Sequence, residues 1–338
     1  MSWEFQSGMN GFEKARRDWD SLNRSCGNHI LLDSAFVAAL LRWFPNKHVK
    51  LGIDNGPNRG MLLLLQRRPG FWETFQPSQA PIGLILLEHS DSRVARLREI
   101  TRKLPGYALQ LSILQQDPDH TSLSVDEVES GLERIEYIRT ARITLNGTFD
   151  EYWQKRGTKM RYNVNSRRRR AAQKGHTLEL VTLRAERDVP DAIREFGRLE
   201  SCGWKGRDGT AVTADNNQGR FYREVFEYFC ARGEGVVYQL KMDGTVVASD
   251  LCLVRGGMMV LLKTSYDEQL DEFSPAFLMR EDILRRLYAE RQIRTVEFYG
   301  RAMEWHTRWS EEIRTMFHLN FLRHSWIKTL KKLRNRAA

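Results

Sequence analysis

The sequence predicts a mixed α/β (α+β) protein, and three observations carry that expectation. Residues 236–300 read as a strand meander, then a helix, then one more strand. Helical and strand patterns alternate in both halves of the chain in a comparable way. Composition is that of an ordinary globular protein: 41% of residues are hydrophobic, enough for a full core, and 338 residues suit two domains.

Taken in order, residues 1–28 are polar and read as a loosely attached lead-in, before a first domain at 29–147. There, residues 36–44 form an apolar helical stretch ended by Pro45. Residues 61–65 (MLLLL), 82–87 (IGLILL) and 108–114 read as strands, with a helix over 92–104. Pro57, Pro69, Pro77, Pro81 and Pro105 punctuate the connections, and 138–145 is a closing strand. A second domain spans 148–325. It predicts helices at 149–156 and 161–174, with Gly175 as C-cap, a strand at 177–182, and helices at 188–199 and 216–232. The meander follows, then a last strand at 315–322 and a basic tail at 326–338.

The turns of the meander set a register. Asp243-Gly244 and Gly256-Gly257 lie between β-rich runs and supply the positive φ angles that two-residue hairpin turns need. With Gly256-Gly257 as the turn, Asp250 falls across from Lys263, and opposed residues share a face. Such a pair is either a structural ion pair or a charged pair in a cleft suited to proton transfer or substrate orientation. Downstream, Ser274-Pro275 offers an N-cap and a first helical residue, and Phe277, Leu284, Leu287 and Tyr288 give a helical stripe.

The net charge of +10 is uneven. Between Lys155 and Lys174 stand nine Lys/Arg and no acid, and between Arg323 and Ala338 six and no acid. Such segments are either solvated faces or contacts for a phosphate-rich or acidic partner: nucleic acid, a nucleotide-bearing cofactor, an acidic carrier protein or anionic lipid. No apolar run reaches membrane-spanning length and the N-terminus has no apolar h-region, so a cytoplasmic protein is expected. Cys26, Cys202, Cys230 and Cys252 are scattered and read as free thiols, and the histidines show no metal-ligand spacing. No metal is expected. The sequence has no P-loop, no dinucleotide fingerprint and no nucleophile elbow.

The element order, with a helix N-terminus following the third meander strand, resembles the GCN5-related N-acetyltransferase (GNAT) fold. Glu200-Ser-Cys-Gly-Trp204-Lys205-Gly206, Asp208-Gly-Thr-Ala211, Ala248-Ser-Asp250-Leu, Leu262-Lys263-Thr-Ser-Tyr266-Asp-Glu268, Ser274-Pro275-Ala276 and Glu297-Phe-Tyr299-Gly300 carry the likeness. Together they resemble the cellulose-biosynthesis-associated acetyltransferases (CelD/BcsL type), relatives of the Fem-like aminoacyltransferases. The resemblance covers about 148–325, and it implies a diverged second GNAT-like domain over 29–147, in a tandem Fem-like arrangement.

That resemblance implies an acyltransferase, with acyl-CoA (acetyl-CoA) as co-substrate and an amine or hydroxyl of a sugar or glycan precursor as acceptor, in exopolysaccharide biosynthesis. Its cofactor pyrophosphate would meet backbone N–H groups at Phe273, Ser274, Pro275, Ala276 and Phe277, beside Tyr266, where free donors and the helix dipole attract an anion. Two residue features oppose this. Pro275 has no N–H, and Asp267, Glu268, Asp271 and Glu272 crowd the same loop with carboxylates unless they turn outward or pair with Arg280 or Arg285. In the transfer step Asp250 and Glu200 are candidate bases or acceptor orienters, Lys263 tunes Asp250 or steadies the oxyanion, and Tyr299 is the candidate acid. Trp204, Lys205 and His306 are candidate substrate-binding residues, each alternatively a packed or solvated side chain. Two rival functions stand beside this: aminoacyl-tRNA-dependent transfer, with tRNA held by residues 155–174, and a non-catalytic scaffold binding nucleic acid or an anionic surface.

Overall fold

A computed structural model describes residues 3–88, 93–121, 123, 131–203, 208–324 and 326–327. The chain forms two compact units, Met1–Arg139 with Arg314–Ala338, and Thr140–Ile313.

In the first unit β1 (Trp3–Ser7) leads into α1 (Gly8–Ser25) and α2 (Ser34–Trp43). Strands β2 (Val49–Asp54), β3 (Gly60–Arg68), β4 (Phe71–Thr74) and β5 (Ile85–Leu87), helix α3 (Arg93–Lys103) and β6 (Gln110–Gln116) follow. The sheet runs β1-β2-β3-β4-β6, with β5 beside β3 and the C-terminal strand Glu312–Leu322 beside β6. Residues 3–25 are therefore not the loose lead-in their polarity predicts. Phe12, Trp19 and Leu22 recur at helical spacing and are buried, and the Trp19 indole donates to the Leu32 carbonyl at 2.7 Å. Lys, Arg and Asp on the outer face of α1 hide this apolar stripe from composition alone.

The second unit takes the end of β7 (Leu132–Thr144), then α4 (Phe149–Gln154), α5 (Thr158–Gln173), β8 (Leu178–Leu183), α6 (Val189–Cys202) and α7 (Asn217–Ala231). The meander β9 (Gly235–Met242), β10 (Thr245–Arg255) and β11 (Met258–Tyr266) precedes α8 (Pro275–Glu290), β12 (Thr295–Phe298) and the short α9 (Glu304–Trp309). The order β7-β12-β11-β10-β9-β8 is antiparallel except for β11-β12, which is parallel across the α8 crossover. Both expected hairpin turns form: Asp243 and Gly244 have φ of 51° and 81°, and Gly256 and Gly257 60° and 83°. A core of Ala248, Cys252, Met279, Leu284, Val296 and Trp309 lies on the α8 side.

The register near the site differs from the turn-based expectation. Pairing starts as predicted, with Arg255 opposite Met258, but it shifts between Leu251 and Cys252, where one extra residue of β11 enters. Asp250 then opposes Thr264, and Lys263 opposes Leu251. Because strand side chains alternate between faces, Asp250 and Lys263 lie on opposite faces. The expected Asp250–Lys263 pair does not exist. A β-bulge of this kind is a one-residue insertion that hairpin chemistry does not announce.

Candidate functional site

The bulge divides two charged arrangements. On the α8 side, Asp250 is 1% exposed and meets Arg280, 4% exposed. The Arg280 Nη2 donates to both Asp250 carboxylate oxygens, at 2.9 and 3.1 Å, and to Thr264 Oγ1 at 3.0 Å. Burial pushes the Asp250 carboxyl above its usual range, opposed by the Arg280 charge and the Thr264 hydroxyl. Among the described residues, Arg280 Nη1 is buried without a hydrogen-bond partner. Its guanidinium also lies 5.3 Å from the Trp305 ring centroid and 5.4 Å from that of Phe298.

Arg280 belongs to the wall of a cavity of about 330 Å³ at the N-terminus of α8, shared with Thr264, Tyr266, Asp271, Ser274, Ala276, Phe277, Trp305 and Trp309. Beside it the sheet opens. β11 and β12 pair only from Met258–Val260 to Thr295–Glu297, so among the described residues the β12 side of β11 has no ladder partner from Leu261 to Tyr266. A strand edge with open N–H and C=O groups next to a cavity receives an extended, amide-bearing chain by strand-like hydrogen bonding.

The loop before α8 is a poorer anion site than the resemblance implies. Phe273 N–H donates to Leu270 O at 2.9 Å, Ser274 N–H to Asp271 O at 3.0 Å, and Phe277 N–H to Ser274 O at 2.9 Å. Pro275 has no N–H. Ala276 keeps the one backbone donor of this turn without an intramolecular acceptor among the described residues. Ser274 sits at φ 46°, and its hydroxyl donates to Asp271 O instead of capping the helix. Phe273 is a core residue packed against His176. Of the loop acids, Glu272 turns to Lys174 at 2.7 Å, Asp267 accepts from Gln269 N–H at 2.9 Å, and Asp271 stays in the cavity wall. A multi-donor pyrophosphate cradle does not fit this turn.

On the other face, toward α6, Lys263 Nζ meets the Glu200 carboxylate at 3.2 and 3.4 Å. Glu200 is 3% exposed and also accepts from Val212 N–H at 2.8 Å. Lys263 Nζ lies 5.7 Å from the Tyr222 ring centroid, and burial, then Glu200, push the Tyr222 hydroxyl up. The sequence named both members of this pair but matched Lys263 with the wrong carboxylate. Trp204 and Lys205, which follow Glu200 in the sequence, lie outside the described residues.

Tyr299 is buried just past β12 and does not line the cavity. His306 accepts from Met303 N–H at 2.9 Å through Nδ1 and stacks on Trp305. Burial, reinforced by Arg280, pushes its pKa down to about 4, so the ring is neutral at pH 7. The basic helix α5 is partly neutralised within the chain. Arg168 donates to Glu281 and Asp282, each at 2.8 Å, and Arg170 lies 3.9 Å from Glu272. Arg280, Thr264, Trp305 and Trp309 were not singled out as site residues. One signal was available: Arg280 falls three residues after Phe277 and four before Leu284, a charge on the apolar stripe of its helix.

Residues 158–307 match the family described as acetyltransferase (GNAT) domain. Such a domain implies acyltransferase activity and, in general, an acyl-CoA-type donor. No curated protein matches by sequence. Among solved structures, FemX is similar with a TM-score of 0.56 and 11% identity, over 98% of this chain and 99% of that one. L-PGS from Bacillus licheniformis is similar with a TM-score of 0.55 and 12% identity, over 95% and 96%. The fold is thus a mixed α/β, GNAT-like one.

Proposed function

We propose that this chain is an acyltransferase in which a thioester donor lies along the open edge of β11, with its acyl end in the cavity beside Arg280. The observation that supports this best is the separation of β11 from β12 next to that cavity. A pantetheine arm has amide groups that match an unpaired strand edge. The acceptor enters from the opposite face, where Glu200 and Lys263 stand. There Glu200 orients or deprotonates an acceptor amine, less readily a hydroxyl, and Lys263 holds the carboxylate in place. Tyr299 is the proposed acid for the leaving thiolate. The amine attacks the thioester carbonyl, the tetrahedral intermediate collapses, and the thiolate leaves with a proton. A sugar or glycan precursor is the acceptor class we favour, on resemblance.

Acyl-CoA is the favoured donor. A second reading has an observation of its own. The few open donors at α8, together with Arg167 and Arg169, which have no ion pair among the described residues, suit a donor carried on tRNA or on an acidic carrier protein. Thiol release from acetyl-CoA with amino-sugar acceptors tests the first reading. Glu200→Gln should lower that turnover by about 10²-fold. Turnover unchanged by Glu200→Gln would remove the acceptor-side assignment.

A further inference from the structure

One end of the first unit carries rings and cations that the acyl transfer does not use. Tyr107 and Trp326 are 60% and 53% exposed. Single exposed rings are ordinary on a protein surface, but these two are joined into a patch. The His324 ring stacks on both, and its Nε2 lies 2.7 Å from the Tyr107 hydroxyl. The Arg323 guanidinium lies 4.0 Å from the Tyr107 ring centroid, and the Arg323 backbone N–H donates to Leu109 O. The β3–β4 turn is tied to the same place, because Leu109 N–H donates to Gly70 O at 2.7 Å. That turn brings Arg67 and Arg68, both exposed, and α3 ends just before Tyr107 with exposed Arg102 and Lys103. Arg67 pairs with Glu73. Arg68, Arg102, Lys103 and Arg323 have no ion pair among the described residues. Beyond Ile327 the sequence adds Lys328, Lys331, Lys332, Arg334 and Arg336 and no acid.

We infer that this end of the first unit docks on a bilayer surface rich in anionic phospholipid. Lipid phosphates supply the counter-charge that these cations lack within the chain, which strengthens binding about fivefold for each Lys or Arg that reaches the surface. Tyr and Trp settle at headgroup depth, where an apolar ring meets hydrocarbon and a polar atom meets water. Charge and inserted rings together give the two signals that lasting attachment to a membrane surface needs. Among polyanions the ring arrangement favours lipid over single-stranded nucleic acid. Bases are held by stacking on open aromatic faces. Here the Tyr107 ring already carries Arg323 and His324, and Trp326 already carries His324. More than half of each ring residue nonetheless stays exposed, as insertion between headgroups requires.

The test floats the full chain with vesicles of phosphatidylcholine alone, and of phosphatidylcholine mixed with phosphatidylglycerol. The mixed vesicles should bind at least about tenfold more strongly at low salt, with the preference falling as salt screens the charges. Arg102→Gln/Lys103→Gln, which leaves every residue after Arg323 intact, should lower that binding about twentyfold, the product of two surface charges. Tyr107→Ser/Trp326→Ser should remove the part of the binding that survives high salt, where charge contributes least. Equal binding to the two vesicle compositions, or to neither, overturns the inference. So does wild-type affinity in the Arg102→Gln/Lys103→Gln variant, which would leave the basic tail as a sufficient cause. Displacement of the chain from mixed vesicles by a single-stranded RNA oligonucleotide at equal phosphate concentration would also overturn it, in favour of nucleic acid. The comparison of vesicle compositions with the wild-type chain decides the matter even where a variant does not fold.

Discussion

Removing the charge of Asp250 should destabilise the fold far more than removing both members of its pair. The carboxylate is 1% exposed and takes two bonds from Arg280, at 2.9 and 3.1 Å. In Asp250→Asn, among the described residues, the guanidinium keeps Thr264, the amide oxygen and the faces of Trp305 and Phe298, while Nη1 has no partner. Breaking a buried pair on one side costs about 3–5 kcal/mol. Arg280→Met strands the carboxylate instead. Since burial raises the Asp250 pKa, protonation relieves that variant, and its cost should shrink as pH falls from 7 to 5. The double variant Asp250→Asn/Arg280→Met leaves no buried charge, so its cost should fall about 3 kcal/mol short of the summed singles. Urea unfolding of the four proteins, with slopes checked for constancy, reads this coupling directly. Single variants costing under about 1 kcal/mol, or additive within about 0.5 kcal/mol, would refute the picture of a desolvated pair tying β10 to α8.

Two further outcomes concern parts of the fold away from the cavity. Asp117, held by Arg314 at 2.6 and 2.9 Å, has its pKa pulled to about 2 by those bonds against the opposing effect of burial. A carboxylate depressed in the folded state contributes stability that is complete above its unfolded pKa, near 4, and lost as pH falls toward 2. That is about 2 kcal/mol, and Arg314→Met should abolish this acid limb in pH-dependent urea unfolding. Second, Gly219→Ala should cost about 3 kcal/mol, because a Cβ there overlaps the Thr213 backbone carbonyl at the start of α7; wild-type thermal stability would contradict it.

Much of the second unit was legible because local chemistry dictates it. Asp-Gly and Gly-Gly supply φ angles that other residues resist, so the meander and its two turns follow directly. What escaped was set by tertiary structure. The extra residue in β11 is not specified by the turn residues, and it moved Lys263 from Asp250 to Glu200. The Ser274 hydroxyl, a good cap by type, is drawn to Asp271 O by a left-handed backbone that the sequence does not specify. Residues 3–25 misled through average polarity, although the Phe12, Trp19 and Leu22 spacing was there to be found. Arg280 was visible only as a helix charge, and its partner lies thirty residues earlier on another element.

The most direct test of the account is hydrogen–deuterium exchange of the whole chain with and without acetyl-CoA at millimolar concentration. A donor lying along the open strand edge should protect amides within Leu261–Tyr266, together with Ala276, and leave the Val236–Lys241 ladder unchanged. Protection confined to residues outside β11 and α8, or thiol release with no protection along β11, would contradict the placement of the donor.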